Sequence, residues 1–234
     1  MRRVVTPEIL DGLAADDPRA VRSRGDLGRI NWLTGQARIM AGLLDRHLGR
    51  RDAPRLLEIG SGDGRAALRL ARRLAPRLPG AHLTLLDLAP ATRPGVLDGI
   101  RAAGWTAEVV TADAFERLAR PGPRLDAVLV NLLLHHFKED ALLRLLARVA
   151  ARARLIAATE PRRDAPSYLG ARLTGLIGAN AVTRHDAPAS VRAGFAGREL
   201  SALWARAGGG RVLDESRRLP FTHAFAALGG GAER

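Results

Sequence analysis

The stretch RLLEIGSGDGRAALRLARRLAP, residues 55–76, combines a short apolar run, a glycine-rich turn and a helical pattern. The run at 55–59 predicts a buried strand, and the apolar spacing after Arg65 predicts a helix. Gly60 and Gly62 occupy the turn, where glycine lets the backbone approach a ligand closely and adopt positive φ. Because the first N–H groups of a helix have no partner within it, this turn is predicted to bind a ligand.

The spacing of the glycines separates two classes of ligand. A dinucleotide fingerprint has the pattern G-x-G-x-x-G. In this chain Arg65 occupies the position of the third glycine, and the third glycine of the turn comes one residue earlier, at Gly64. Glu58, inside the strand, would repel the pyrophosphate of a dinucleotide and attract a cation. The residues therefore favour S-adenosylmethionine, which carries a sulfonium and an ammonium group and no phosphate.

The motif LLEIGSGDG, residues 56–64, resembles the first motif of the class I S-adenosylmethionine-dependent methyltransferases. The resemblance implies that Asp87, at the end of the second strand, binds the ribose hydroxyls. It also implies that Asp113 and the N–H of Ala114 bind the adenine, and that Asn131 lies near the methionine end. Either aspartate alone would fit a helix cap, but acids at three strand ends in order are hard to explain as capping. The predicted cofactor-binding residues are Glu58, Gly60, Ser61, Gly62, Asp87, Leu88, Asp113, Ala114 and Asn131.

Apolar runs alternate with helical patterns over residues 55–160. The early runs are apolar throughout, as in strands that are buried on both faces of a parallel sheet. This pattern predicts an α/β fold with a Rossmann-like, doubly wound sheet of about seven strands. Only Pro220 separates the last two runs, RVLDESRRL and FTHAFAAL. That spacing leaves no room for a crossover helix, so the last strand is predicted to be antiparallel.

Residues 1–50 precede this alternation and are predicted to form an N-terminal helical cover. Apolar periodicity is weak at first, and then predicts a single helix over about 27–49. Residues 51–234 are predicted to form a class I methyltransferase domain. Within this domain, residues 162–195 break the alternation after the fifth strand and are predicted to form an insertion on the acceptor side.

Three histidines are candidates for catalysis. His135 and His136 follow the fourth strand, at the carboxyl end where ligands bind in such sheets, and His185 lies in the insertion. A phenol has a pKa of about 10 and a histidine one of about 6.5, so a positioned imidazole can accept the proton during methyl transfer. A structural role for the histidine pair, and a polar loop with a helix cap around His185, are open alternatives. No metal site is predicted.

Composition narrows the classes of function. The formal net charge is +13, but arginine supplies nearly all the positive charge, Lys138 is the single lysine, and the arginines are spread along the chain. A nucleic-acid partner is therefore not expected. The absence of cysteine excludes disulfides and cysteine-based catalysis. The N-terminus lacks a signal-peptide pattern and the longest apolar run, AVLVNLLL, is too short to span a membrane. A cytoplasmic protein without a membrane span is expected.

The stretch RINWLTGQARIM, residues 29–40, resembles the N-terminal cover of bacterial methyltransferases associated with type III polyketide synthase and flavin-oxidase pathways. The resemblance implies secondary metabolism, with O-methylation of a phenolic or quinonoid, polyketide-type compound and a small aromatic molecule as the acceptor. Many nucleic-acid methyltransferases carry an Asn/Asp-Pro-Pro-aromatic motif where residues 131–134 here read NLLL. The alternatives are an RNA methyltransferase, an NAD(P)-dependent oxidoreductase, and a non-catalytic relative that retains the fold.

Overall fold

The computed structural model describes residues 1–14 and 16–230, which contain a seven-stranded sheet. Its strands are Arg55–Ile59 (β1), His82–Asp87 (β2), Thr106–Thr111 (β3), Leu125–Asn131 (β4), Ala153–Pro161 (β5), Val212–Arg218 (β6) and Thr222–Leu228 (β7). They lie in the order β3-β2-β1-β4-β5-β7-β6. Strands β1 to β5 run parallel, whereas β7 pairs antiparallel with both β5 and β6. The predicted fold class and antiparallel last strand are confirmed.

Helices cover both faces of the sheet. In the described residues they are Pro18–Leu33 (α1), Gln36–His47 (α2), Arg65–Leu74 (α3), Val96–Ala102 (α4), Ala114–Ala119 (α5), Glu139–Arg152 (α6), Ala165–Arg172 (α7), Ala181–Ala193 (α8) and Glu199–Arg206 (α9). Leu56 packs in one apolar cluster with Leu44 of α2 and Leu70 of α3. Leu57 packs in a second cluster with Leu145 of α6. Leu56 and Leu57 therefore pack on opposite faces of the sheet, which explains why consecutive residues of this strand are apolar.

The order of the strands reverses at β1, which lies between β2 and β4. In an open parallel sheet, ligands bind at such a point, beyond the carboxyl ends of the strands. The glycine turn at 60–64 follows β1, and the histidine pair follows β4 in a 3-10 turn at Leu134–His136. The fold thus places both groups of predicted site residues along one edge of the sheet.

The prediction of a single helix over 27–49 is wrong. Two helices occupy this region, α1 and α2, and Gly35 interrupts them with a φ of 69°. Asp17 caps α1, since its Oδ1 accepts a hydrogen bond from the N–H of Arg19 at 2.8 Å. The buried residues of α1 are Ala20, Ser23 and Asp26. Because two of these three are polar, the first turns of α1 lack the apolar periodicity by which a helix is detected.

Helix α2 packs into the same apolar cluster as the sheet, through Met40 and Leu44. The domain boundary near residue 50 stays a prediction. The segment 162–195 contains α7, a 3-10 turn at Thr174–Ile177 and α8, and the polar stretch at 183–192 lies within α8. Over residues 1–14 and 16–230, no helix has the length and apolar character that crossing a membrane requires.

Candidate active site

The glycine turn leads directly from β1 into α3. Gly62 has a φ of 54° and Gly64 a φ of 73°, values that residues with a side chain rarely adopt. A Cβ atom on Gly64 would lie 2.9 Å from Cγ1 of Val96, whereas one on Gly62 would meet no described heavy atom within 4 Å. Glycine is needed at residue 64 for close packing. At residue 62 it leaves space beside the backbone that a ligand can fill.

Glu58 is buried in β1, with 4% of its surface exposed. Burial, together with the nearby charges of Asp63 and Asp87, raises the pKa of Glu58 to about 8. Within the part of the chain that the structure describes, Oε2 of Glu58 and Oγ of Ser61 are buried without a hydrogen-bond partner. An unpaired buried carboxylate is costly. A cationic cofactor with hydrogen-bond donors fits this site, because it would supply the missing partner.

A small cavity adjoins Glu58 and is also lined by Asn131 and Gln36. Asn131 ends β4, and its Oδ1 accepts a hydrogen bond from the hydroxyl of Thr159 at 2.8 Å. Gln36 begins α2 and donates to the hydroxyl of Thr222 at 3.1 Å. The structure thus brings Asn131 close to Glu58, and its place near the methionine end of a cofactor stays a prediction. Gln36 was missed, because its proximity depends on how α2 packs against the sheet.

The two predicted aspartates lie at the ends of neighbouring strands. Asp87 accepts a hydrogen bond from the N–H of Gly62 at 2.8 Å with one oxygen, and from the N–H of Ala89 at 3.0 Å with the other. It therefore fixes the glycine turn and keeps further acceptor capacity on each oxygen. Leu88, which follows it, is 69% exposed.

Asp113 caps α5. Its Oδ1 accepts hydrogen bonds from the N–H groups of Phe115 at 2.7 Å and Glu116 at 3.1 Å. Both contacts use the same carboxylate oxygen, so Oδ2 is left to accept from a ligand. Ala114 is the first residue of α5. The capping role is what the structure shows, and the adenine contacts of Asp113 and Ala114 stay a prediction.

His135 is held between two carboxylates. Its Nδ1 lies 2.7 Å from Oε2 of Glu160, and its Nε2 lies 3.6 Å from Oε1 of Glu8. Burial alone would lower the pKa of His135. The hydrogen bond to Glu160 and the negative charges of Glu160 and Glu8 outweigh this effect and raise the pKa to about 9. With 3% of its surface exposed, His135 is a protonated, fixed group at neutral pH and is a poor proton acceptor in this arrangement.

His136 is more accessible than His135. Its side chain is 25% exposed, and its Nδ1 lies 3.0 Å from Oδ2 of Asp11. The two neighbouring imidazole rings have centroids 4.3 Å apart. A carboxylate that binds one ring nitrogen orients the ring and leaves the other nitrogen to accept a proton. The catalytic role of His136 stays a prediction.

His185 lies on α8, outside this pair. Its Nδ1 is 2.9 Å from Oδ1 of Asp186, and its side chain is 59% exposed. Asp186 also accepts hydrogen bonds from the N–H groups of Ile9 and Leu10, at 2.9 Å and 3.0 Å. The catalytic role of His185 stays a prediction. What the structure shows is that its neighbour Asp186 holds the N-terminal segment, residues 1–12, against α8.

The N-terminal segment supplies two acids that sequence patterns did not reveal, Glu8 and Asp11. Arg3 fixes the segment to the end of β4 by donating to the carbonyl oxygens of Phe137 at 3.0 Å and His135 at 3.3 Å. Glu160 was also missed, although its position near the end of the fifth strand is visible in the sequence. The acids of residues 1–12 carried no such signal, because the segment has no apolar periodicity.

Residues 56–154 match the family model described as "Methyltransferase domain". This part of the chain is similar to methyltransferase domains. The predicted resemblance to methyltransferases is confirmed over these residues. Among curated protein sequences, none matches this chain.

Solved structures share the fold of the methyltransferase domain. A proposed O-methyltransferase from Nostoc punctiforme PCC 73102 is 15% identical, with a TM-score of 0.60 over 97% of this chain and 64% of that one. Mitomycin 7-O-methyltransferase is 18% identical, with a TM-score of 0.56 over 94% and 60%. Magnesium protoporphyrin IX methyltransferase from Synechocystis PCC 6803, solved with bound S-adenosylhomocysteine, is 17% identical, with a TM-score of 0.51 over 94% and 90%. The chain spans less than two thirds of the first two proteins.

Glu58 of the methyltransferase domain should give cofactor binding a marked pH dependence. We expect Glu58→Gln to weaken S-adenosylmethionine binding by about 10- to 150-fold. This corresponds to about 1.5–3 kcal/mol, the usual contribution of a hydrogen bond to a charged group. Because the pKa of Glu58 is raised to about 8 without ligand, binding at pH 7 should release a proton as the carboxylate ionises beside the cation. Calorimetry in two buffers of different ionisation enthalpy measures this proton.

The raised pKa of Glu58 also determines how its contribution to the stability of the protein changes with pH. A raised pKa means that the contribution of Glu58 to stability is complete below about pH 4.5 and is lost as the pH rises to about 8. Glu58→Gln should therefore make the ligand-free protein more stable at pH 8, while its affinity becomes independent of pH. Equal affinity of both proteins at pH 8 would contradict this role for Glu58.

Proposed function

We propose that this chain transfers the methyl group of S-adenosylmethionine to an oxygen of a small phenolic or quinonoid acceptor. The observation that carries the proposal is the buried carboxyl group of Glu58 near the carboxyl end of β1, beside the glycine turn. Among the residues that the structure describes, its Oε2 has no hydrogen-bond partner. A group of this kind suits a cationic cofactor. The domain match over residues 56–154 supports the same reaction class.

The cofactor would be held along the ends of β1 to β4. Glu58 would face its positive charge, Asp87 the ribose, and Asp113 with the N–H of Ala114 the adenine. Asn131 would lie near its methionine end. The sulfonium makes the methyl group electrophilic. The chain's own residues therefore have to bind and orient the two substrates, exclude water, and accept the proton that the acceptor loses.

His136 would take that proton, oriented by Asp11 at 3.0 Å. The acceptor would approach from the side of β4 and β5, where residues 162–195 begin. This segment exposes four large apolar side chains, which suit an aromatic compound: Leu169, Leu173, Leu176 and Ile177. The mitomycin 7-O-methyltransferase of similar fold also supports O-methylation. A polyketide-type acceptor, the role of 162–195 in choosing it, and a cytoplasmic location are further parts of the proposal.

The test combines transfer of labelled methyl groups to a panel of phenols and quinols with a variant of the ribose site. Asp87→Asn should weaken S-adenosylhomocysteine binding by about 10- to 150-fold, corresponding to about 1.5–3 kcal/mol. Asparagine keeps an oxygen for the N–H of Gly62, so the turn should persist. Asp98→Asn is the matched control, since Asp98 is an exposed acid on α4 that pairs with Arg101.

Tight binding of NAD without any response to S-adenosylhomocysteine would refute the proposed cofactor. Transfer to RNA in place of small phenols would favour the alternative of an RNA methyltransferase, which rests on the net charge of +13. Loss of affinity in Asp98→Asn equal to that in Asp87→Asn would mean that the effect is one of net charge and not of ribose recognition.

A further inference from the structure

Three side chains that can coordinate a metal ion meet at the end of β4. Glu8, His135 and His136 each offer one ligand atom, and these atoms all lie within 4.8 Å of one another. The histidines come from the 3-10 turn after β4, and the glutamate comes from the N-terminal segment. The tertiary fold brings them together, since His135 follows Glu8 by 127 positions in the sequence.

We propose that Glu8, His135 and His136 form a binding site for a divalent transition-metal ion of the Zn²⁺ class. Two imidazoles and one carboxylate are a common ligand set for such ions, and three protein ligands leave at least one coordination position open. The inference goes beyond the proposed function, because the cofactor residues on β1 to β3 take no part in it.

The distance between Glu8 and His135 fits two ligands of one ion. Oε1 of Glu8 lies 3.6 Å from Nε2 of His135, which is too long for a good hydrogen bond. Zinc lies about 2.0–2.2 Å from such nitrogen and oxygen ligands, so tetrahedral geometry places two of them about 3.4 Å apart. A small movement of either side chain would therefore close the site around an ion.

Each histidine also has the outer partner that metal-bound histidines need. Nδ1 of His135 lies 2.7 Å from Glu160, and Nδ1 of His136 lies 3.0 Å from Asp11. A carboxylate that accepts the Nδ1 proton fixes the ring and leaves the lone pair on Nε2 for the metal. The two histidines thus share an arrangement in which both Nε2 atoms are the free ligands.

The local charge also suits a cation. Three carboxylates surround the two imidazoles, those of Glu8, Asp11 and Glu160. The guanidinium of Arg3 is nearby, but its hydrogen bonds go to the backbone carbonyls of His135, Phe137 and Ala193. One Zn²⁺ ion in place of the proton on Nε2 of His135 would reduce the negative charge that this cluster buries.

A bound ion would have two consequences. It would tie residues 1–12 to the end of β4, which should stabilise the protein against heat. It would also take the nitrogen of His136 that is proposed to accept the proton of the methyl acceptor. Metal binding and methyl transfer can thus be measured apart, since chelator-treated protein keeps the base.

The experiment is a titration of chelator-treated, full-length protein with ZnCl₂, followed by calorimetry, and with CoCl₂, followed by the visible absorption of the bound ion. We expect one ion per chain and a rise in melting temperature. His136→Ala and Glu8→Gln should abolish or strongly weaken binding, and Asp11→Asn should weaken it by about 10- to 100-fold, as for other outer partners of a metal. His82→Ala is the matched control, because His82 begins β2 and pairs with Thr106.

Circular dichroism must show that each variant is folded. Failure of the wild-type protein to bind one ion per chain would overturn the proposal. So would binding that survives both His136→Ala and Glu8→Gln, or that His82→Ala removes equally well. Binding of S-adenosylhomocysteine by chelator-treated protein reports separately on the proposed function, so failure of one proposal leaves the other intact.

Discussion

Replacing His136 with alanine should lower the rate of methyl transfer by about 10²- to 10⁴-fold, the usual contribution of a general base. The expectation follows from position and exposure. His136 lies at the carboxyl end of β4 and is partly accessible, whereas His135 is buried between Glu160 and Glu8, which raise its pKa to about 9. Affinity for S-adenosylmethionine should change little, because His136 is not among the residues that are predicted to bind the cofactor. Single-turnover rates and calorimetry separate the two quantities.

The matched control is His185→Ala, because both histidines place Nδ1 beside an aspartate. The distances are 3.0 Å from His136 to Asp11 and 2.9 Å from His185 to Asp186. Assays contain a chelator so that bound metal does not affect the comparison. Normal turnover in His136→Ala, with a large loss in His185→Ala, would assign the base to the α8 residue. Normal turnover in both would mean that neither imidazole accepts the proton.

Removal of the carboxylate of Glu160 should destabilise the whole protein. Glu160 has no exposed surface, and it accepts hydrogen bonds from the N–H groups of Leu133 at 3.0 Å and Leu134 at 2.8 Å, as well as from His135. Glu160→Ala would leave a buried imidazolium without its main partner. Breaking a buried ion pair in this way costs about 3–5 kcal/mol. Urea denaturation measures the free energy of unfolding.

The control for this measurement is Glu139→Ala, since Glu139 forms an exposed ion pair with Arg206 at the surface. We expect a loss of at most about 1 kcal/mol there. The loss of unfolding free energy in Glu160→Gln should lie between the losses in these two variants, because glutamine keeps an acceptor for the backbone N–H groups and loses the charge. If Glu160→Ala were as mild as Glu139→Ala, the turn after β4 would be held by packing alone.

Local sequence patterns were sufficient to predict the sheet and the edge of the sheet at which three acidic residues lie. Apolar residues dominate β1 and β2, and the positions of Glu58 within β1, Asp87 at the end of β2 and Asp113 just after β3 are read directly from the sequence. Their proximity then follows from the parallel order of β1, β2 and β3. The single proline between the last two apolar runs of the sequence was enough to predict the antiparallel pairing of β6 and β7.

The surroundings of the histidines could not be predicted in this way. Glu8 and Asp11 reach His135 and His136 from the far end of the chain, and no periodicity links such distant residues. The break at Gly35 was missed for a different reason. The apolar pattern continues on both sides of this glycine, and a lone glycine in a helical pattern is often tolerated.

The position of β7 has a consequence for how the chain folds during synthesis. Until residues 222–228 are made, β5 has an open edge and β6 has no neighbour in the sheet. Strand β7 closes this gap, and four of its residues are fully buried: Ala224, Phe225, Ala226 and Ala227. Emerging chains would therefore expose an unpaired apolar edge, which invites aggregation. Completion of the sheet is a late event, and chaperone dependence should be greatest just before it.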